Sequence, residues 1–255
     1  MRFVVKRLGL FVVALFGLSL LVFVLLRMLP GDVAAVIAGT NAAPERIASL
    51  RTELGLDKSY VAQYGDWMLG LLHGDLGVST IGGKAVSAQV ASRASVTFPL
   101  IIVSLLIALA IGLPLGCAAV LTRNARLRGL CHGIAIVAGA IPALWGGLLL
   151  ILLFSRGSGL LGLLPAQGFP DNGWGAPLQA LASLILPALA TGVTAGASIM
   201  RYTRAAVGDK ASSQAVDMAM ACGMTRKQAV LRVALRLATP QLVSVIGLTF
   251  AQMVT

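Results

Sequence analysis

Five stretches of this 255-residue chain carry no Asp, Glu, Lys or Arg: 8–26, 96–121, 129–155, 172–200 and 237–255. A helix needs about 20 apolar residues to cross roughly 30 Å of hydrocarbon, so each stretch can hold one span. The whole chain is 58% hydrophobic and 11% charged. Soluble domains carry about 25% charged residues, and disorder requires low hydrophobicity, so both states are excluded. What remains is an integral membrane protein. The first stretch follows Arg2, Lys6 and Arg7 and ends in Arg27-Met28-Leu29-Pro30. A secretory signal would have an apolar core of only about 7–15 residues and a small-residue cleavage site, so a retained first span is expected.

The formal net charge is +11. With the N-terminus in the cytoplasm the connections alternate. The inside set (residues 2–7, 123–128 and 201–236) then holds thirteen bases against two acids, Asp209 and Asp217. The outside set holds seven bases and seven acids. That asymmetry follows the positive-inside rule and orients the chain. Nucleic-acid binding, the other reading of a basic chain, has no charge left to explain it.

Two connections are longer than turns. Residues 29–95 fall outside. There Pro44-Glu45 fits a first helical turn, Ile47, Leu50 and Leu54 share a face, and Gly55 fits a stop. A second pattern, Val61, Tyr64, Trp67, Met68, Leu71 and Leu72, ends before Gly74. The pair fits helices lying on the membrane or packing on the bundle, and equally a docking surface for an external partner. Residues 201–236 fall inside. Asp217–Gly223 is a short helix-compatible stretch stopped by glycine, and Thr225-Arg226-Lys227-Gln228 reads as a capping box opening another helix. That helix places Ala229, Val230, Val233, Ala234 and Leu237 on one face. Arg226, Lys227, Arg232 and Arg236 are left largely off it, near anionic headgroups or a cytoplasmic partner.

Catalytic and metal chemistry is missing from the pattern. No acid or base lies within a charge-free run, which argues against a proton relay. His132 is the one titratable candidate in a span and reads as structural or interfacial; His73 reads as a helix cap. Cys117, Cys131 and Cys222 form no disulfide framework or metal-ligand spacing. No nucleophile elbow, zinc-protease motif or phosphate-binding loop is present, so no cofactor is expected and the chain should not hydrolyse nucleotide itself. Gly-x-x-x-Gly pairs occur at Gly112–Gly116, Gly129–Gly133 and Gly192–Gly196, but 29 glycines predict about as many by chance. Pro114, Pro142 and Pro187 should bend their helices or free carbonyls.

Seven motifs in order give a resemblance that covers nearly the whole chain. They are Leu29-Pro30-Gly31-Asp32, Glu53-Leu54-Gly55-Leu56-Asp57, Gly74-Asp75-Leu76-Gly77-Val78-Ser79 and Gly112-Leu113-Pro114-Leu115-Gly116. Ile141-Pro142-Ala143-Leu144-Trp145, Leu164-Pro165-Ala166-Gln167-Gly168 and Leu186-Pro187-Ala188-Leu189-Ala190 follow. Together they resemble the permease subunits of peptide-type ATP-binding-cassette importers, the oligopeptide/dipeptide/nickel group. The resemblance implies an all-α polytopic helix bundle of the type I importer kind, with an external helical insertion between spans 1 and 2. It divides the chain into 1–28 (cytoplasmic N-terminus and first span), 29–95 (external helical segment) and 96–255 (core permease domain, with coupling segment 201–236).

Such permeases carry a motif similar to E-A-A-x-x-x-G, a coupling helix seated in a cleft of the ATPase. Asp217-Met218-Ala219-Met220-Ala221-Cys222-Gly223 takes its place, with Asp for Glu and Met for the first Ala. The resemblance therefore implies Asp217, Met218, Ala219, Gly223 and Met224 as coupling residues. It implies as partners a second homologous permease, two ATPase subunits, an external substrate-binding protein and membrane lipid, with no nucleic acid. The location implied is the cell membrane, multi-pass, with a sixth span following Thr255. The cargo implied is di- or oligopeptides. Nickel, haem or another small solute is the alternative, and an ATPase-independent channel or carrier is the alternative of a different class.

Overall fold

The computed structural model describes residues 2–28, 31–39, 42–79, 84–122, 124–157, 159–165 and 168–254. The side chains of Cys131 and His132, and motif residues Leu29, Pro30, Ala166 and Gln167, lie outside that description. Among the described residues the regular structure is helical, with a 3-10 turn at Gly173–Gly175 and only two isolated β-bridges, Val78 with Ala85 and Ser155 with Leu164. The helices are α1 (Arg2–Met28), α2 (Val33–Ala38), α3 (Pro44–Glu53), α4 (Tyr60–Leu72) and α5 (Val86–Leu121). Then come α6 (Ala125–Ala140), α7 (Ala143–Phe154), α8 (Pro177–Ala211), α9 (Gln214–Ala221) and α10 (Arg226–Val254). Two units divide inside α5, between Ala94 and Ser95: Met1–Ala94 and Ser95–Thr255.

Four of these helices, α1, α5, α8 and α10, are long and apolar enough to cross a membrane. They hold four of the five charge-free stretches. The remaining stretch, 129–155, is broken: α6 and α7 have 16 and 12 residues and meet at Ile141-Pro142. Proline has no N–H to donate and disfavours helical geometry at the residue before it. Here Pro142 takes the N-cap position of α7, with ψ +139°. Pro99, Pro114, Pro187 and Pro240 stay inside their helices. At Pro187 the hydroxyl of Thr191 donates to the Pro187 carbonyl at 2.9 Å.

Three glycines placed as stops act as stops by one geometry. Gly55, Gly74 and Gly223 (the last in the second unit) have φ +65°, +81° and +91°. Each ends its helix in a Schellman motif, with paired bonds from the glycine N–H and the next N–H back to the last turn. Examples are Leu56 N to Arg51 O at 2.9 Å and Asp75 N to Gly70 O at 2.9 Å. Asp32 caps α2 by accepting from Ala34 N and also accepts from Arg51 Nη2 of α3 at 2.7 Å, tying the two short helices together. The Arg51 guanidinium holds the Asp32 carboxyl below the usual carboxylate range.

In the second unit α5 and α8 pack as a parallel pair. Ser104 Oγ meets Thr191 Oγ1 at 2.8 Å, and further along the seam a Cβ at Gly196 would stand 3.3 Å from Ala108 Cα. A Cβ at Gly112 would stand 2.7 Å from Ile199, and one at Gly116 2.6 Å from Thr203. Numbers rise together along both helices, so the two run in the same direction. In lipid, where apolar burial offers no gain between helices, close backbone approach and cross-helix hydroxyls hold such a seam. Two of the three Gly-x-x-x-Gly pairs dismissed as chance therefore line a close contact between α5 and α8.

Candidate functional site

Both long helices flanking the 201–236 connection run further than the charge pattern suggested. Helix α8 continues to Ala211 and α10 begins at Arg226, so only 212–225 remains to form the turn. Within it lies α9, eight residues long. Its start uses Ser213 O, which accepts from Val216 N at 2.9 Å. Its end is the Schellman stop, with Gly223 N donating to Met220 O at 3.0 Å and Met224 N to Ala219 O at 3.1 Å. The next helix opens on the expected capping box: Gln228 N donates to Thr225 Oγ1 at 3.3 Å and Thr225 N to Gln228 Oε1 at 3.0 Å.

One buried side chain fixes α9 to the bundle. Val216 is 1% exposed and joins Cys117 of α5, Val207 of α8 and Ala229, Val230, Ala234, Ala238 and Leu242 of α10 in one apolar cluster. Ala219, one turn on, packs against the same cluster. The opposite face of α9, Gln214, Asp217, Met218 and Ala221, is exposed, Met218 to 68%. Val216 and Ala219 thus fix one side of α9 to three long helices, and the other side is exposed.

The five residues singled out from sequence therefore divide three ways. Asp217 and Met218 project outward, Ala219 faces inward, and Gly223 with Met224 forms the stop. Asp217 also lies in the first turn of α9, where a carboxylate complements the helix dipole. Val216 was missed. The only signal for it was its spacing of three from Ala219, which marks the inner face of a helix this short.

The first turns of α10 hold a second difference. Val230–Ala234 forms a π-helical turn, in which Leu235 N donates to Val230 O. The extra residue advances the buried face by one position beyond the turn. Ala229, Val230 and Ala234 are buried as expected, but Ala238 replaces Leu237, which is 45% exposed. Arg226, Lys227, Arg232 and Arg236 are all exposed. Between α8 and α10 runs an open groove of about 330 Å³, lined by Tyr202, Asp209, Gln241 and Val245 among others. Among the described residues no cluster of His, Cys, Asp or Glu could hold a metal ion.

Fold and site together define a polytopic helical membrane protein with a braced, outward-facing helix between two of its spans. Residues 108–255 match the family described as binding-protein-dependent transport system inner membrane component, and residues 1–100 match its N-terminal counterpart. The chain belongs to this family, whose peptide-type members are permease subunits of ABC importers. It is 34% identical over 268 residues to the dipeptide transport system permease protein DppB of Escherichia coli K12, covering 97% of this chain and 79% of that one. It is 35% identical over 250 residues to the glutathione transport system permease protein GsiC of Escherichia coli O6:H1, covering 98% and 78%.

Proposed function

We propose that this chain is the permease half of an importer carrying di- or oligopeptides or similar small solutes into the cell, driven by ATP hydrolysis in partner subunits. The observation that carries the coupling assignment is the two-sidedness of α9: Val216 is locked into the cluster joining α5, α8 and α10, while Asp217 and Met218 are bare. A rigid-body shift of an ATPase seated on that outer face would pass directly to three long helices. The chain's relatives named for dipeptide and glutathione transport support a peptide cargo. The partners are then a second homologous permease, two ATPase subunits and an external substrate-binding protein, with the N-terminus cytoplasmic in the inner or plasma membrane.

Charge placement supports a partner at this end. Arg226 and Lys227 occupy the first turn of α10, where the helix dipole disfavours cations by about 0.3–1 kcal/mol each. Such placement costs stability locally and favours an acidic rim on whatever seats against α9. In the reconstituted complex, Gly223→Val and Asp217→Arg should each lower uptake per ATP hydrolysed while the chain still assembles in the membrane. Unchanged coupling in both variants would rule out α9 as the coupling element.

A further inference from the structure

We propose that α4 is sunk into the lipid bilayer alongside α1, and that acyl chains cover its outer apolar face. The placement comes from where α4 is fastened. Tyr64 Oη and Ser19 Oγ share a hydrogen bond at 2.8 Å, and the Tyr64 ring packs edge-on against Phe16 and Phe23 with centroids 5.9 and 5.3 Å away. All three partners lie within the charge-free stretch of α1. At about 1.5 Å per residue, Phe23 lies about 5 Å, Ser19 about 10 Å and Phe16 about 15 Å inside its Leu26 end. The last is close to mid-membrane for a hydrocarbon layer of about 30 Å. A helix pinned there by its own tyrosine is drawn below the membrane surface.

The remaining faces of α4 fit that depth. At about 100° per residue, Trp67 and Leu71 share the stripe of Tyr64, the residue that fastens α4 to α1. Val61 and Leu72 lie beside it on a second apolar stripe that no described residue of the first unit covers, 84% and 75% exposed. Helix α1, to which Tyr64 is fastened, has no buried residue either. Gln63 and Asp66 share a third stripe, and Asp66 is paired with Lys58 at 2.6 Å. Backbone polar groups near hydrocarbon need internal partners. Gln63 Nε2 donates to the carbonyls of Leu56 and Lys58 at 3.2 and 2.7 Å, and Gly70 O accepts from Asp75 N at the other end.

Depth-dependent quenching in the assembled complex tests this. Val61→Cys, Leu72→Cys and Glu45→Cys are made singly in a chain whose native cysteines are replaced by alanine. Each is labelled with an environment-sensitive fluorophore and placed in nanodiscs. Probes at 61 and 72 should be quenched several-fold more by lipids carrying a nitroxide on the acyl chain than by aqueous iodide, with the reverse at 45, which lies on exposed α3. Iodide quenching at 61 and 72 equal to that at 45 would place the face in water. Resistance to both quenchers would mean a protein covers it. Either result overturns the proposal, and neither bears on the role of α9.

Discussion

Replacing Gly116 by alanine isolates the α5–α8 seam. The new Cβ would stand 2.6 Å from Thr203 Cβ, 2.8 Å from Thr203 Cγ2 and 2.9 Å from Met200 O. Ordinary contact begins near 3.4 Å, so the helices must part by roughly 0.8 Å, and one of the three obstacles is backbone that cannot rotate away. Overpacking of this kind costs about 1–3 kcal/mol. The strain is partly offset by the helix propensity of alanine, about 1 kcal/mol better than glycine. Parting also stretches the Ser104–Thr191 contact, and such bonds are worth about 0.6 kcal/mol in lipid. The net expectation is a loss of about 1–2 kcal/mol. Gly247 on α10 is the control, because a Cβ there meets nothing within 4 Å, and Gly247→Ala should be neutral or stabilising. Thermal or denaturant unfolding of the complex in nanodiscs measures both. Equal stability of the two variants would show that the close approach of α5 and α8 does not hold the unit together.

Three further outcomes follow from the same geometry. Val216→Ala removes two buried methyl groups and leaves a small cavity, worth about 2 kcal/mol; hydrogen exchange should quicken across α9 while distant α7 keeps its protection. Thr225→Ala breaks the capping box at a cost of about 1 kcal/mol and should expose the first-turn amides of α10 to exchange. Asp32 has a carboxyl held low by Arg51, so the bond between α2 and α3 contributes stability above the unfolded carboxylate range. That contribution is lost as pH falls through the lower folded value. Protection of α2 amides, taken as exchange relative to the intrinsic rate at each pH, should therefore be constant from neutral pH down to the carboxylate range and fall only below it, and Asp32→Asn should show the weaker protection at every pH.

Stops and caps were legible in the sequence because each depends on a few adjacent residues. Gly55, Gly74, Gly223 and the Thr225–Gln228 box all stand where local chemistry placed them. The α6–α7 break was not, although Pro142 was in view. A proline in an apolar run can stay inside a helix, as Pro114 and Pro187 do, or end it, and the neighbours decide which. The seam was missed for a related reason: glycine spacing says two helices can approach and leaves open which two. At the site, the outward residues of α9 came from pattern, while Val216 needed the surrounding helices to be in place. The π-helical turn that moves Leu237 out and Ala238 in has no sequence mark that periodicity can read.

Contact between the outer face of α9 and an ATPase subunit is the central claim, and photo-crosslinking in the membrane-embedded complex tests it most directly. A photoreactive side chain at Met218, which is 68% exposed and braced from behind by Val216, should yield a product with the ATPase, and the same group at Val243 on the lipid-length part of α10 should not. Crosslinks to the ATPase from Val243 and none from Met218 would contradict the account.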